Sequence, residues 1–249
     1  MAGDLRAHVE GLYAAQAAEL TAHPAFQALE GGTAAPADYD AFLANVVRAH
    51  MRSPKIVAFL YALSPPASTD DLLHNLLEEL GIESACGSSA VPTVPVGGAG
   101  TADGTSHPAL LRELAVGAGF GDRLPELERL AEDDIRTIAT EPLLYGTLKE
   151  VGLAALVEVI AFEWMLSRTA SRIARALAAH RGLAPASLAW FTHHSEVDVA
   201  HAEQGLDAVR DYAAYYAMDD ADAATIAEMA LRENVFVRRY FSEMALAPA

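Results

Sequence analysis

Three residues near position 200 have the types and the spacing of a metal-binding set. The segment HHSEVDVAHAEQG contains His194, Asp198 and His201. An α-helix turns about 100° per residue, so Asp198 lies about 40° to one side of His194 and His201 about 20° to the other. The three side chains therefore share one narrow helix face, whereas His193 and Glu196 lie away from it. Imidazole and carboxylate ligands together suit iron, manganese or zinc.

A solvated polar helix face with coincidental spacing is the alternative interpretation of this segment. The apolar residues LAWF precede it, and Val197, Val199 and Ala200 are interleaved with the polar positions. This pattern indicates a packed helix, on which ionisable groups need partners.

The second candidate is a glutamate inside the most apolar helix of the chain. Glu163 lies in LVEVIAFEWMLSR. A buried carboxylate costs several kcal/mol unless it is paired or bound to a metal. Alternatively, Glu163 or Glu158 pairs with Arg168 or Arg172, or lies on an exposed stripe.

Two further segments supply ligand candidates. HNLLEELG contains His74, Asn75, Glu78 and Glu79, and either glutamate could be the ligand. The alternative is an amphipathic helix with its acids in solvent. His107 opens SHPALLREL, where a local hydrogen-bonding role is the alternative. Together, four helices offer three carboxylates and three imidazoles, which is the set that a dinuclear iron or manganese centre uses inside a helix bundle. The ferritin-like pattern, Glu-x-x-His from each of two helices, is absent.

The elements that must position these residues are helical. Ala, Leu, Glu and Arg, which favour helices, fill most segments, and alternating β-branched runs are nearly absent. We predict a single all-α domain of seven to eight helices, covering residues 1–249. The predicted helices span 5–21, 36–63 with a bend at Pro54, 70–80, a helix capped by Ser106, 125–140, about 142–180 with Gly182 as its stop, 185–216, and a last helix that follows DDAD and ends near the C-terminus. Residues 84–106, rich in Gly, Ser, Thr and Pro, predict a flexible loop.

Composition excludes several classes of partner. The chain has 249 residues, of which 52% are hydrophobic, and 17 Lys and Arg against 34 Asp and Glu give a formal charge of −17. This charge disfavours nucleic acid and anionic membranes. The most apolar stretch, VGLAALVEVIAFEWML, is too short for a membrane span. Cys86 is the single cysteine, so no intrachain disulfide is expected, and the first residues carry no secretory signal pattern. A cytoplasmic location is therefore expected.

In this order along about residues 40–210, the motifs resemble those of the heme-oxygenase-like diiron oxidases and oxygenases. These are relatives of thiaminase II and pyrroloquinoline quinone synthase. NLLEELG is similar to the family's N-L-x-E-E-x-G, SHPALLREL to its H-P-x-L helix, AFEWM to its single buried glutamate, and HHSEVDVAH to its closing H-x3-D-x2-H. The resemblance implies a heme-oxygenase-like helical bundle with the metal ligands Glu79, His107, Glu163, His194, Asp198 and His201.

The resemblance also implies a function. Two Fe(II) ions would use O2 as co-substrate to oxidise a small amine, amino acid or fatty-acid-like substrate, by N-oxygenation or by desaturation or C–C cleavage, in natural-product biosynthesis. Glu79, Glu163 and Asp198 would be the catalytic carboxylates, with Glu163 bridging. Manganese accepts the same ligands. An external electron donor is expected, as is a homodimer formed through apolar helices such as the first and the last.

One departure from the family pattern concerns VVRAHMRSPKIVAFLY. N-oxygenating members carry a further carboxylate ligand there, where this chain has His50 and Ser53. His50 could be a substitute ligand, a substrate contact or a core residue. The substrate pocket is expected between the second, fifth and sixth predicted helices, with Tyr145, Trp164 and Arg168 as positional candidates for its lining.

Three other functions remain open. A metal-free oxidase resembling the quinone synthase would use histidines as acid–base groups. A thiaminase-like hydrolase would need a nucleophilic cysteine, for which Cys86 is the single candidate. A non-enzymatic helical binding protein is the third.

Overall fold

The computed structural model of the chain describes residues 4–82, 105–140 and 145–241, apart from the side chains of 196–201. Every regular element in these ranges is helical, which confirms the predicted all-α class. The helices are α1 (Leu5–Ala22), α2 (Pro24–Gly31), α3 (Pro36–His50), α4 (Ser53–Leu63), α5 (Thr69–Glu79), α6 (His107–Gly117), α7 (Leu124–Thr140), α8 (Leu148–Ala176), α9 (Ala189–Tyr215), α10 (Asp220–Ala230) and α11 (Val235–Tyr240). Of the predicted loop at 84–106, all but residues 105 and 106 lie outside the described ranges.

The described helices outnumber the seven to eight predicted, because the sequence does not separate the short helices from their neighbours. The helix α2 has eight residues, begins after the cap His23 and ends at Gly32 in the left-handed conformation, with φ 73°. At the other end of the chain, the predicted last helix is divided into α10 and α11, and Asn234 caps α11 by accepting from the amide of Val237.

The predicted helix over 36–63 is two helices that meet at a proline. The helix α3 ends at His50 and α4 begins at Ser53. Pro54, in the first turn of α4, has no N–H to donate to an uninterrupted helix. His50 ends α3 and Ser53 begins α4, so the two residues lie on either side of the break.

Helices α8 and α9 form the centre of the bundle and pack along each other. Buried residues occur along the whole length of α8, which explains its apolar composition. Two glycines allow the close approach. A Cβ atom at Gly152 of α8 would overlap the hydroxyl of Tyr212 on α9, and one at Gly205 of α9 would overlap the side chain of Ile160 on α8.

The helix α8 begins later than predicted, but the helical segment stops where it was predicted to stop. Thr147 and Glu150 form a capping box, and the helix begins at Leu148, six residues after Pro142, which itself lies outside the described ranges. A π-helical turn over 177–181 leads to Gly182, with φ 71°, as predicted. Across the described ranges, no helix combines the length and the hydropathy that a membrane span requires.

Candidate metal centre

A cavity of about 220 Å³ lies within the helical bundle. Four of the six predicted ligands line it: Glu79 from α5, His107 from α6, Glu163 from α8 and His194 from α9. Helices α3, α4, α7 and α8 form much of its wall, which agrees with the pocket position expected from the sequence. We call these four residues the inner end of the cavity.

Glu79 and His107 lie in contact at the inner end. Glu79 is 7% exposed and His107 is 5% exposed. The Nδ1 atom of His107 lies 3.1 Å from Oε1 of Glu79, and Ser53 Oγ donates to the other carboxylate oxygen at 2.5 Å. The neighbouring Glu78 lies on a different face of α5, with Oε1 3.2 Å from His74 Nε2. Of the two candidate glutamates in this helix, Glu79 is the one that faces the cavity.

Sequence spacing explains how α5 and α6 present these groups. Leu72, Asn75 and Glu79 are the buried residues of α5 and form a single helical stripe. On α6, His107 is the first helical residue, directly after the cap Ser106, whose Oγ accepts from the amide of Ala109. The predicted cap therefore fixes His107 at the helix start.

The side chain of Glu163 is oriented by an asparagine from another helix. Asn75 Nδ2 of α5 donates to Glu163 Oε1 of α8 at 2.8 Å. The alternative in which Arg168 or Arg172 holds a glutamate of α8 is wrong. Arg168 stacks over the Trp164 ring at 3.6 Å, and Arg172 pairs with Glu30. Neither arginine lines the cavity.

His194 is buried, with one ring nitrogen committed to the backbone. Its Nδ1 donates to the carbonyl of Trp190, one turn earlier in α9, at 2.7 Å. Its ring lies 4.6 Å from that of His107, centroid to centroid. Burial lowers the pKa of His194 well below its ordinary value, and the neighbouring His107 adds to the effect. A neutral ring that donates through Nδ1 leaves Nε2 with a free lone pair, which is how histidines commonly bind metals.

The last two predicted ligands follow on α9. The backbone of Asp198 and His201 is helical, but their side chains lie outside the described residues. Their assignment as ligands stays a prediction.

The donor atoms at the inner end fit a metal ion. No group of three His, Cys, Asp or Glu side chains in the described ranges is already gathered around one point. Both ring nitrogens of His107 are nevertheless buried without a hydrogen bond to any described residue, since the contact with Glu79 lacks hydrogen-bond geometry. A buried polar atom without such a bond is costly. Two carboxylates beside two imidazoles are a suitable donor set for iron, which would satisfy these atoms.

Two histidines beyond the predicted set contribute to the surroundings of the cavity. The ring of His193, assigned from the helical wheel to another face, lies 5.0 Å from that of His107. His50 lines the cavity and shares a 2.5 Å hydrogen bond, through Nε2, with the hydroxyl of Tyr240. Burial lowers the pKa of His50 to about 3, with smaller contributions from His107 and Arg239. The sequence singles out the position of His50, but no local signal could have revealed its partner on α11.

Charged residues line the rest of the cavity. Asp134 accepts two hydrogen bonds from Arg48, at 2.6 and 2.7 Å. Glu158 pairs with Arg238 at 2.5 Å, and Arg239 lies 3.6 Å from the same carboxylate. We call the set Arg48, Asp134, Glu158 and Arg239 the outer rim, because their side chains are about one third exposed. Tyr145 and Trp164, two positional candidates from the sequence, do not line the cavity.

Comparison with protein families decides the assignment. A family model described as iron-containing redox enzyme matches residues 40–233. The chain belongs to this family. Membership confirms the expected heme-oxygenase-like relationship and supports an oxidoreductase that uses iron. The match extends from α3 to the turn after α10, so it includes all six predicted ligand positions. No curated protein matches the chain.

Proposed function

We propose that this iron-containing redox enzyme uses O2 to oxidise a small organic substrate at a site for two Fe(II) ions. The ligands would be Glu79, His107, Glu163 and His194 together with Asp198 and His201. The observation that carries the proposal is the arrangement of the first four, which come from four helices and line one cavity of the bundle.

Iron bound there would supply the activation of O2. The protein's own part is to orient the ligand atoms. Ser53 donates to one carboxylate oxygen of Glu79, and Asn75 donates to one of Glu163. These two hydrogen bonds fix the orientation of each carboxylate and therefore of its second oxygen. The carbonyl of Trp190 fixes the tautomer of His194.

Much of the cavity wall is apolar. Side chains such as Val57, Ile135, Val159, Phe162 and Leu166 line it. Such walls hold the apolar part of a small molecule and keep water from the inner end. We propose an amine, an amino acid or a fatty-acid-like molecule as substrate, oxidised by N-oxygenation or by desaturation or C–C cleavage in a biosynthetic pathway, with an external electron donor. Membership of an iron-containing family supports iron rather than manganese at these ligands.

Metal content tests the ligand set directly. Wild-type protein loaded anaerobically with Fe(II) and desalted should retain about two ions per chain. Alanine variants of Glu79, His107, Glu163, His194, Asp198 and His201 should each retain fewer, measured by elemental analysis. Retention of the full iron content by all six variants would contradict the proposal.

Two neighbouring glutamates provide a matched control. Glu78 is the neighbour of the predicted ligand Glu79 on the same helix, but its carboxylate faces His74 and not the cavity. Glu78→Ala therefore removes a carboxylate that is not a predicted ligand. Glu78→Ala should therefore keep its iron, and Glu79→Ala should lose it.

O2 uptake that depends on Fe(II) separates the proposal from a metal-free oxidase and from a binding protein. A thiaminase-like hydrolase would need Cys86 as its nucleophile, and this residue lies outside the described ranges. Full O2-dependent oxidation by Cys86→Ala would exclude the hydrolase.

A further inference from the structure

One face of α8 runs along the cavity from the outer rim to the inner end. Ala155, Glu158, Val159, Phe162 and Glu163 all line it. Glu158 and Glu163 are five residues apart, which corresponds to a rise of about 7.5 Å along the helix axis. The helix therefore carries one carboxylate at each end of a short apolar stretch, and only the Glu163 end belongs to the candidate metal centre.

The carboxylate at the rim is already engaged by an arginine. Oε1 of Glu158 accepts from Nη2 of Arg238 at 2.5 Å. Nη2 of Arg239 is 3.6 Å from that same oxygen, beyond hydrogen-bonding distance. Two guanidinium groups thus share one carboxylate, so among the described residues this corner of the rim carries one more positive than negative charge.

Arg239 differs in this respect from Arg48, another arginine that lines the cavity. Arg48 makes two hydrogen bonds to Asp134, and its charge is matched within the chain. Arg239 makes no hydrogen bond to any described acceptor, although its side chain lines the cavity and is only 35% exposed. A guanidinium with unused donors in a partly desolvated position is a natural carboxylate-binding group.

We propose that Arg239 binds the carboxylate of an amphipathic, monoanionic substrate, whose apolar segment then extends along α8 toward Glu163. This inference rests on the proposed function for the reaction itself. It assigns the anionic group to Arg239 at the rim and the reacting atom to the far end of the apolar segment, beside the candidate metal ligands. The intervening walls, Val159 and Phe162 on α8 and Ile56 and Val57 on α4, match such a segment.

Binding of three probes of equal chain length tests the charge preference without iron. Octanoate, octylammonium and octanol carry the same apolar chain with a negative, a positive and a neutral head. Titration calorimetry on protein treated with a chelator should give tighter binding of octanoate than of octanol, by at least about tenfold, and the weakest binding for octylammonium. The octanoate affinity should fall with added salt, whereas the octanol affinity should not. Equal binding of octanoate and octanol, or no binding of any probe, would overturn the proposal.

Two substitutions with opposite expected signs locate the anchor. Arg239→Gln should weaken octanoate binding at least tenfold and leave octanol binding unchanged. Glu158→Gln removes the competing carboxylate, so octanoate should bind as tightly as in the wild type or more tightly. If instead octylammonium binds best and Glu158→Gln abolishes its binding, the rim is an amine site and the proposal is wrong.

A third variant controls for the loss of a positive charge anywhere on the protein. Arg175 is exposed on α8 and does not line the cavity. Arg175→Gln should bind all three probes like the wild type, and an equal loss of octanoate binding in it and in Arg239→Gln would contradict a specific anchor. Because these titrations need no metal, failure of iron loading would count against the proposed reaction and leave the anchor testable.

Discussion

The carboxylates at the two ends of the cavity accept hydrogen bonds from different kinds of donor. At the outer rim, Asp134 and Glu158 accept hydrogen bonds from arginines. At the inner end, Glu79 and Glu163 accept from a serine and an asparagine, and Glu79 lies beside a histidine. The carboxylates of the rim pair with positive charges of the chain, whereas the inner carboxylates accept hydrogen bonds from neutral side chains, an environment that a bound cation would stabilise. This difference supports the proposal that the inner end binds a metal ion and that the paired part of the rim has a structural role.

The sharpest way to break this comparison is to neutralise the inner carboxylates. In Glu79→Gln/Glu163→Gln, the affinity for Fe(II) should fall by more than about 100-fold, because two anionic ligands are lost. The metal-free protein should at the same time become more stable, since the buried charge of Glu79 and the half-buried charge of Glu163 disappear. Titration with Fe(II) and urea unfolding in the presence of a chelator would measure the two effects. A less stable metal-free double variant would show that these carboxylates are structural, like those of the rim.

A smaller effect is expected from the neutral donors that orient the inner carboxylates. Asn75→Ala should weaken Fe(II) binding by roughly 10- to 100-fold, because Glu163 loses the hydrogen bond that directs it. Asn45→Ala, which removes a buried asparagine bonded to the carbonyl of Tyr240, is the matched control and should retain iron. An equal loss of iron in both would point to a general loss of packing.

Between the two ends, His50 should make stability depend on pH. Its pKa is about 3 in the folded protein, against about 6.5 in the unfolded chain. Below pH 6.5 the unfolded chain takes up a proton that the folded protein does not, so stability falls as the pH falls from 6.5 toward 3. Relative to His50→Gln, the metal-free wild type should lose about 2 kcal/mol between pH 7 and pH 5, measured by urea unfolding. The exposed His180, replaced by Gln, is the control, and parallel pH curves for the wild type and His50→Gln would contradict the expectation.

The smallest effect is expected from an ion pair of the rim. Arg48→Gln removes the partner of Asp134, and both side chains are about one third exposed. Such pairs contribute about 1 kcal/mol or less, so unfolding should shift slightly and Fe(II) binding should not change. A loss of iron in Arg48→Gln would mean that the two ends are coupled.

Local patterns made much of the inner end predictable. Glu163 stands out as a charge in an otherwise apolar helix, and Glu79 and His107 fall on buried stripes next to recognisable caps. These features depend on residues within one or two turns. The family resemblance then placed them in order, and the match over residues 40–233 confirms that relationship. Asp198 and His201 remain predictions.

Contacts between distant segments account for what the sequence did not predict. His50 shares a hydrogen bond with Tyr240, and Glu163 accepts one from Asn75, in each case from a helix far away in the chain. Arg238 and Arg239 approach Glu158 because α11 folds back against α8. The helical wheel describes directions around one axis, so it could not reveal that His107, on a second helix, brings its ring to 5.0 Å from that of His193.

The glycine contacts between α8 and α9 have a consequence for the reactive centre. Glu163 belongs to α8 and His194 to α9, so their separation is governed by how closely the two backbones lie. Gly205 sits where the side chain of Ile160 leaves no room even for a methyl group. A larger residue at position 205 would push α8 and α9 apart. Glu163 and His194 would then move away from each other, although residue 205 is not itself a predicted ligand.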